Sequence, residues 1–127
     1  MTANRFNFRA YIKPYNKIYK VHSIEMSGNF LAIECFQEDG ETLLKRNDNE
    51  TNLFLFKQGE FNLMQSTGLV DKNGKEVFEN CIINNNFLVV FKNYKFILIN
   101  ILNNDIVDFY EYTEKNRIEI TDEYKQI

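Results

Sequence analysis

The residues best suited to binding chemistry lie near the start of the chain, where cations alternate with tyrosines before the first acidic residue, Glu25. Cationic side chains can follow a phosphate backbone, and tyrosine rings can stack on unpaired bases. The pattern therefore predicts a candidate single-strand nucleic-acid surface that comprises Arg5, Arg9, Tyr11, Lys13, Lys17 and Lys20. The net charge of the chain, −3, argues against this function, because nucleic-acid-binding domains are usually basic.

A second interpretation of these residues is that they form one pole of a dipolar surface. Acidic residues concentrate towards the end of the chain, where they could neutralise the basic pole within one molecule or between molecules. This acidic pole comprises Asp105, Asp108, Glu111, Glu114, Glu119, Asp122 and Glu123. The composition favours this interpretation over nucleic-acid binding.

Histidine and cysteine, which many enzymes use as base and nucleophile, are few and isolated in this chain. His22 is the one histidine, which excludes most mechanisms that need a histidine base. Cys35 and Cys81 have no second Cys or His at metal-ligand spacing, so we expect them to be buried, reduced thiols. Glu76 and Glu79 flank the return strand of a predicted hairpin and show no acid–base pattern. We therefore expect no catalytic site, no cofactor and no metal ion.

The pattern of apolar residues predicts that β-strands position these side chains. Apolar residues occupy every second position from 6 to 12, which is the period of a half-buried strand. If they face the core, Arg5, Arg9, Tyr11 and Lys13 share the outward face. Further strands are predicted at residues 18–24, 30–36, 42–45, 53–56, 61–65, 81–83, 87–91, 96–102 and 106–112.

Turn signals separate these strands about every ten residues, which predicts an all-β fold of antiparallel hairpins, barrel-like or sandwich-like. Residues 38–41 form one such signal, and the polar run at 47–52 is the best loop candidate. The segment 96–102 is apolar nearly throughout, so we expect it to be covered on both faces. From residue 113 onward the pattern weakens, and a short helix near the C-terminus is as well supported as a strand. Residues 1–127 are expected to form a single domain.

The central segment carries the most specific motif of the chain. Its residues Asp71-Lys72-Asn73-Gly74-Lys75 form a tight-turn signal, because Asn and Gly accept the positive φ that a hairpin requires. This segment resembles the YopX-like family of bacteriophage and prophage proteins, whose motif runs Met-Gln-aromatic-Thr-Gly-Leu, then Asp-Lys-Asn-Gly-Lys-Glu. The matching residues here are Met64, Gln65, Thr67, Gly68, Leu69, Asp71 to Val77, Phe78, Glu79, Ile82 and Ile83.

Phe8-Arg9-Ala10 also resembles the opening of that family, although Tyr11 stands where Trp is usual. Ser66 replaces an aromatic residue, and Asn80-Cys81 replaces Gly-Asp. The resemblance implies a phage-encoded, mostly β, cytoplasmic protein with no established activity and no catalytic residues to transfer.

The function that follows from these observations is that of a non-catalytic module that binds a host or phage protein. The central hairpin is one candidate contact, through Gln65, Thr67 and Asp71, which have the least obvious structural role in it. Turn chemistry and core packing alone explain its other residues. An exposed edge strand would also allow a homo-oligomer. The alternative function is nucleic-acid binding by the basic N-terminal hairpin.

The start of the chain has no apolar core of signal-peptide length. The longest unbroken apolar run, residues 87–91, is too short to cross a bilayer. We therefore expect a protein of the bacterial cytoplasm that does not associate with membranes.

Overall fold

A computed structural model describes residues 7–27, 30–36 and 53–125, which divide into two compact units. The N-terminal unit is Asn7–Met64, and the C-terminal unit runs from Gln65 onward. Arg5, the predicted turn at 38–41, the predicted strand at 42–45 and the predicted loop at 47–52 lie outside the described residues.

The N-terminal unit is an antiparallel sheet in which the strands follow the order β4-β3-β2-β1-β5. Its strands are β1 (Phe8–Ile12), β2 (Lys17–Ser27), β3 (Phe30–Phe36), β4 (Leu53–Lys57) and the first part of β5 (Phe61–Val70). A 3₁₀ turn at Lys13–Tyr15 connects β1 to β2, and Asn16 closes it at a φ of 51°. Asn tolerates this left-handed conformation better than most residues, which explains its place in the turn.

One face of this sheet forms the core of the N-terminal unit. Ala10 and Ile12 of β1 are fully buried, which confirms the period predicted for the first strand. They pack with Tyr19, Ile33, Cys35, Phe56 and Phe61. The register of β2 on β3 shifts between Val21 and Ser23, so that His22 is the extra residue of a β-bulge.

The C-terminal unit contains the rest of β5, which pairs with β6 (Glu76–Phe78), and a second antiparallel sheet. The strands of that sheet follow the order β10-β9-β8-β7-β11. They are β7 (Ile82–Ile83), β8 (Phe87–Lys92), β9 (Lys95–Asn100), β10 (Ile106–Asp108) and β11 (Ile120–Asp122). The helix α1 (Phe109–Lys115) follows β10 directly, and the Asp108 side chain caps it by accepting from the Glu111 N–H.

The prediction that segment 96–102 is covered on both faces holds for its first half, because the consecutive residues Phe96, Ile97 and Leu98 are all buried. It is wrong for the end of the segment, because β9 ends at Asn100, and Ile101 and Leu102 are exposed in the turn that follows. Phe109 is the one buried residue of α1 and is fully enclosed. The all-β antiparallel class and a short helix near the C-terminus are likewise confirmed. The strand predicted at 106–112 is wrong beyond Asp108, because α1 begins at Phe109. The barrel alternative is not met, because the sheets formed by the described residues do not close.

Candidate functional site

The Thr-Gly-Leu part of the central motif forms a bulge in β5. Thr67, Gly68 and Leu69 lie between the pairs Ser66–Phe78 and Val70–Glu76, opposite Val77 alone. Gly68 has a φ of +86°, a conformation that residues with a Cβ rarely adopt. The Thr67 hydroxyl donates to the Val77 carbonyl at 2.8 Å and accepts from the Leu69 N–H at 3.2 Å. Thr67 therefore bridges the two strands where the regular ladder is interrupted.

The backbone of this bulge also binds helix α1. The Tyr110 hydroxyl donates to the Thr67 carbonyl at 2.7 Å. Burial raises the pKa of Tyr110, and the charge of Asp108 raises it further. Tyr110 therefore remains a protonated donor at neutral pH and holds the first turn of the helix against β5.

Asp71 is the centre of the turn between β5 and β6, which we call the central turn (residues 71–75). Its side chain is only 5 % exposed. One carboxylate oxygen accepts from the N–H groups of Asn73 and Lys75, both at 2.9 Å. The other accepts from the Ile120 N–H, also at 2.9 Å, and so connects the turn to a segment 49 residues further along the chain.

The electrostatics of Asp71 follow from these contacts. Burial alone would raise the pKa of the carboxyl, because the charged form loses water. The N–H groups of Ile120, Lys75 and Asn73 donate to the charged form, and the Lys75 ammonium also favours it. Together they bring the pKa below its ordinary value, so Asp71 is a carboxylate at neutral pH.

Lys72 and Asn84 also hydrogen-bond to the segment that follows α1. The Lys72 N–H donates to the Ile118 carbonyl at 2.9 Å, and the Lys72 ammonium lies 3.2 Å from the Glu119 carboxylate. The Asn84 amide donates to the Tyr112 hydroxyl and to the Arg117 carbonyl, and its oxygen accepts from the Glu119 N–H at 3.0 Å. The sequence carries no signal for these contacts of Asn84, because its partners are distant in the chain.

Together these contacts shape an open groove of about 560 Å³ between the central turn and α1. Leu69, Val70 and Ile118 provide its apolar lining, and Val70 is 58 % exposed. Lys72, Glu114 and Arg117 provide charges of both signs. An apolar surface with a few charged groups around it can bind a peptide segment through burial and orient it by ion pairing.

Glu76 and Glu79 have structural contacts instead of an acid–base arrangement. Glu76 accepts a short hydrogen bond from the Ser66 hydroxyl. Glu79 accepts from the Gln65 N–H at 2.9 Å and from the Phe91 N–H. Burial raises the pKa of Glu79 above its ordinary value, although both N–H groups act in the opposite direction.

Gln65, Thr67 and Asp71, whose structural role is least obvious from the sequence, all make structural hydrogen bonds. Thr67 and Asp71 are buried, and their polar atoms hydrogen-bond within the unit, as described above. Gln65 is linked to Glu79 twice through its backbone, since it also accepts from the Glu79 N–H at 3.0 Å. Partner binding by these three residues stays a prediction, and of the three it is Asp71 that lines the groove.

The structure divides the predicted nucleic-acid surface. Arg9 lies opposite Lys20 in the β1–β2 ladder, and Tyr11 lies opposite Ile18, so Arg9, Tyr11 and Lys20 share one face. Lys17 pairs with Ile12 on the other face, and its ammonium lies 5.4 Å from the centre of the Tyr19 ring. Lys13 is exposed in the 3₁₀ turn, and Arg5 lies outside the described residues. Nucleic-acid binding at this hairpin stays a prediction.

The remaining candidates for catalysis or metal binding are His22 and the two cysteines. His22 is 46 % exposed, and its Nδ1 lies 3.8 Å from the Glu34 carboxylate. Both cysteines are buried thiols as predicted, and burial raises the pKa of Cys35 to about 12. Two more acids of the predicted acidic pole pair with lysines of the same unit, Glu123 with Lys75 and Asp108 with Lys95.

No cluster of three or more His, Cys, Asp or Glu side chains suited to a metal ion occurs in the part of the chain that the structure describes. The helical residues within that part include no segment with the length and apolar character needed to cross a membrane.

No curated protein and no solved structure matches the chain. A family model described as YopX protein matches residues 7–124, which include β1, the central motif, the groove and β11. The chain therefore belongs to the YopX family, as its central motif and its opening residues predicted.

Proposed function

We propose that this protein is a non-catalytic protein-interaction module whose groove binds a segment of a host or phage protein. In this proposal it is encoded by a bacteriophage or prophage and acts in the cytoplasm of the bacterial host. The observation that carries the proposal is the groove itself: an accessible apolar surface, including the 58 % exposed Val70, lies beside Lys72, Glu114 and Arg117.

The hydrogen bonds around the groove support this function because they fix its shape before a partner arrives. The central turn is connected to Ile118 and Ile120, and α1 is connected to Thr67. A preorganised site loses less conformational entropy on binding than a mobile one, so a modest apolar area can suffice for a specific complex.

The test compares two exposed apolar residues of the C-terminal unit, one in the groove and one outside it. Val70→Asp places a charge in the groove, whereas Leu102→Asp places the same charge on a side chain that is 75 % exposed and does not line the groove. Affinity capture from host and phage-infected lysates, followed by titration of the purified partner, measures the effect.

We expect Val70→Asp to weaken partner binding more than five-fold, the effect of truncating an energetically important contact, and Leu102→Asp to leave it unchanged. Equal binding by the wild type and both variants would contradict the proposal. A second copy of the chain is another occupant of the groove, and light scattering of the same three proteins would identify such a homo-oligomer.

Nucleic-acid binding by the N-terminal hairpin is the second candidate function. The observation that favours it is the shared face of Arg9, Tyr11 and Lys20, which the strand register establishes. Arg9→Gln combined with Lys20→Gln should then weaken binding of labelled single strands and reduce its dependence on salt. Lys17→Gln, on the opposite face, is the matched control.

A further inference from the structure

The turn between β8 and β9, which we call the exposed turn (residues 92–95), combines an unfavourable backbone with a fully accessible aromatic ring. Lys92 pairs directly with Lys95, which leaves Asn93 and Tyr94 as the connecting residues. Their φ values are 54° and 65°, the pattern of a type I′ turn. Glycine is preferred at the second position, and a bulky residue there is strained.

Packing does not explain the presence of Tyr94. Its side chain is 97 % exposed, so the ring gains no burial in compensation for the strained backbone. Local strain that neither the turn nor the core requires is a reason to examine the side chain for a binding role.

The surroundings of Tyr94 indicate which ligand it suits. Lys92 and Lys95 bracket Asn93 and Tyr94 in the sequence, and because the two lysines form a direct cross-strand pair they project on the same face of the hairpin. Beside the turn lies a cavity of about 340 Å³ that is lined by Lys92, Asn93, Lys95, Ile97, Ile106 and Asp108. The Asp108 carboxylate accepts from the Glu111 N–H at 3.0 Å and lies 3.4 Å from the Lys95 ammonium, so a phosphate in the cavity would share Lys95 with Asp108.

We propose that the exposed turn binds single-stranded nucleic acid, with one base stacked on Tyr94 and a neighbouring phosphate held in the cavity beside Lys92 and Lys95. Exposed aromatic rings and cationic side chains on one surface are the combination by which proteins bind single strands without reading their sequence. This contact is independent of the groove and of the N-terminal hairpin, since it shares no residue with either.

Fluorescence anisotropy of labelled oligo-dT, oligo-U and a DNA duplex, titrated with the full chain at low and near-physiological salt, tests the proposal. Tyr94→Gly removes the ring at a position where glycine relieves the backbone, so the variant remains folded. Tyr94→Phe keeps the ring, and Lys92→Gln removes one cation. Leu102→Ala is the control for the loss of an exposed apolar side chain in the same unit.

We expect the single strands to bind more tightly than the duplex. Tyr94→Gly should weaken their binding about five-fold or more, the effect of losing one stacked base. Tyr94→Phe and Leu102→Ala should bind as the wild type, and Lys92→Gln should reduce the dependence of affinity on salt. Absence of binding at low salt, or equal binding by Tyr94→Gly and the wild type, would overturn the proposal. Binding that only Arg9→Gln and Lys20→Gln weaken would assign nucleic acid to the N-terminal hairpin instead.

Discussion

The central turn and the exposed turn each connect two antiparallel strands of the C-terminal unit, but their side chains differ in burial. In the central turn the strained position is occupied by Gly74, at a φ of +82°, and Asp71 is buried. In the exposed turn the strained position is occupied by Tyr94, whose side chain is 97 % exposed. The central turn therefore has the residues that folding requires, whereas the exposed turn has a residue that folding does not explain.

The largest loss of stability is expected when the Asp71 side chain of the central turn is removed. Asp71→Ala leaves the N–H groups of Asn73, Lys75 and Ile120 without their acceptor, and hydrogen bonds to a buried charge are among the strongest. We expect the free energy of unfolding to fall by about 3 kcal/mol, measured by urea denaturation. Asp105→Ala, at an exposed carboxylate, should change it little, and a similar loss in both variants would contradict the structural role of Asp71.

The next largest effect concerns the backbone of the central turn. A Cβ added at Gly74 would meet no atom within 4 Å, so Gly74→Ala tests the positive φ alone. We expect it to lower the free energy of unfolding by about 1 kcal/mol in the same assay. The adjacent Asn73→Ala should be nearly neutral because the N–H that donates to Asp71 belongs to the backbone. An unchanged stability in Gly74→Ala would show that the turn can relax to another conformation.

The corresponding change in the exposed turn should have the opposite sign. Tyr94→Gly relieves a left-handed conformation that is costly for a bulky residue, although glycine gains entropy in the unfolded chain. We expect the free energy of unfolding to rise by about 0.5 kcal/mol in urea denaturation. A decrease of similar or larger size would indicate that the Tyr94 ring stabilises the fold, and the contrast between the turns would then fail.

A smaller effect concerns the pH dependence of stability, in which Asp71 and Glu79 should differ. The pKa of Asp71 is lowered in the folded protein, so its contribution to stability is present above the ordinary pKa of about 3.9 and is lost as the pH falls through the folded value. The pKa of Glu79 is raised, so its contribution is complete below about 4.3 and declines as the pH rises through the folded value.

Urea denaturation as a function of pH should therefore give Asp71→Asn and Glu79→Gln opposite slopes relative to the wild type. The deficit of Asp71→Asn should shrink as the pH falls, because the wild type loses the benefit of its carboxylate. Glu79→Gln should gain on the wild type as the pH rises through the region where Glu79 ionises. Parallel curves for both variants would contradict these pKa directions.

Local patterns were sufficient to predict much of the fold. The alternation in residues 6–12 correctly placed Ala10 and Ile12 in the core, and the apolar run at 96–102 correctly predicted buried residues on both faces at 96–98 but not at its end, where Leu102 is exposed. The central turn was also evident, because Asn and Gly at a reversal have a direct conformational reason. These features depend on residues that are close in the sequence.

The candidate site was harder to predict because its contacts are long-range. Asp71 accepts from a residue 49 positions away, and Asn84 binds partners 28 to 35 positions away, so no local pattern indicates them. Lys17 was grouped with Arg9 and Lys20 in one candidate surface, but the 3₁₀ turn sets a register that places it opposite Ile12, on the other face of the hairpin. No sequence pattern singled out Tyr94, because its exposure and φ depend on the geometry of the two-residue connection.

The most direct test of the proposed interaction site is photo-cross-linking in host and phage-infected lysates from a photoreactive amino acid at Val70, compared with the same group at Leu102. Both positions are exposed, but only Val70 lines the groove. We predict a defined cross-linked protein from Val70 that is absent from Leu102 and is the protein that Val70→Asp fails to capture. No cross-linked product from Val70, or the same products from both positions, would contradict the assignment of the groove as the binding site.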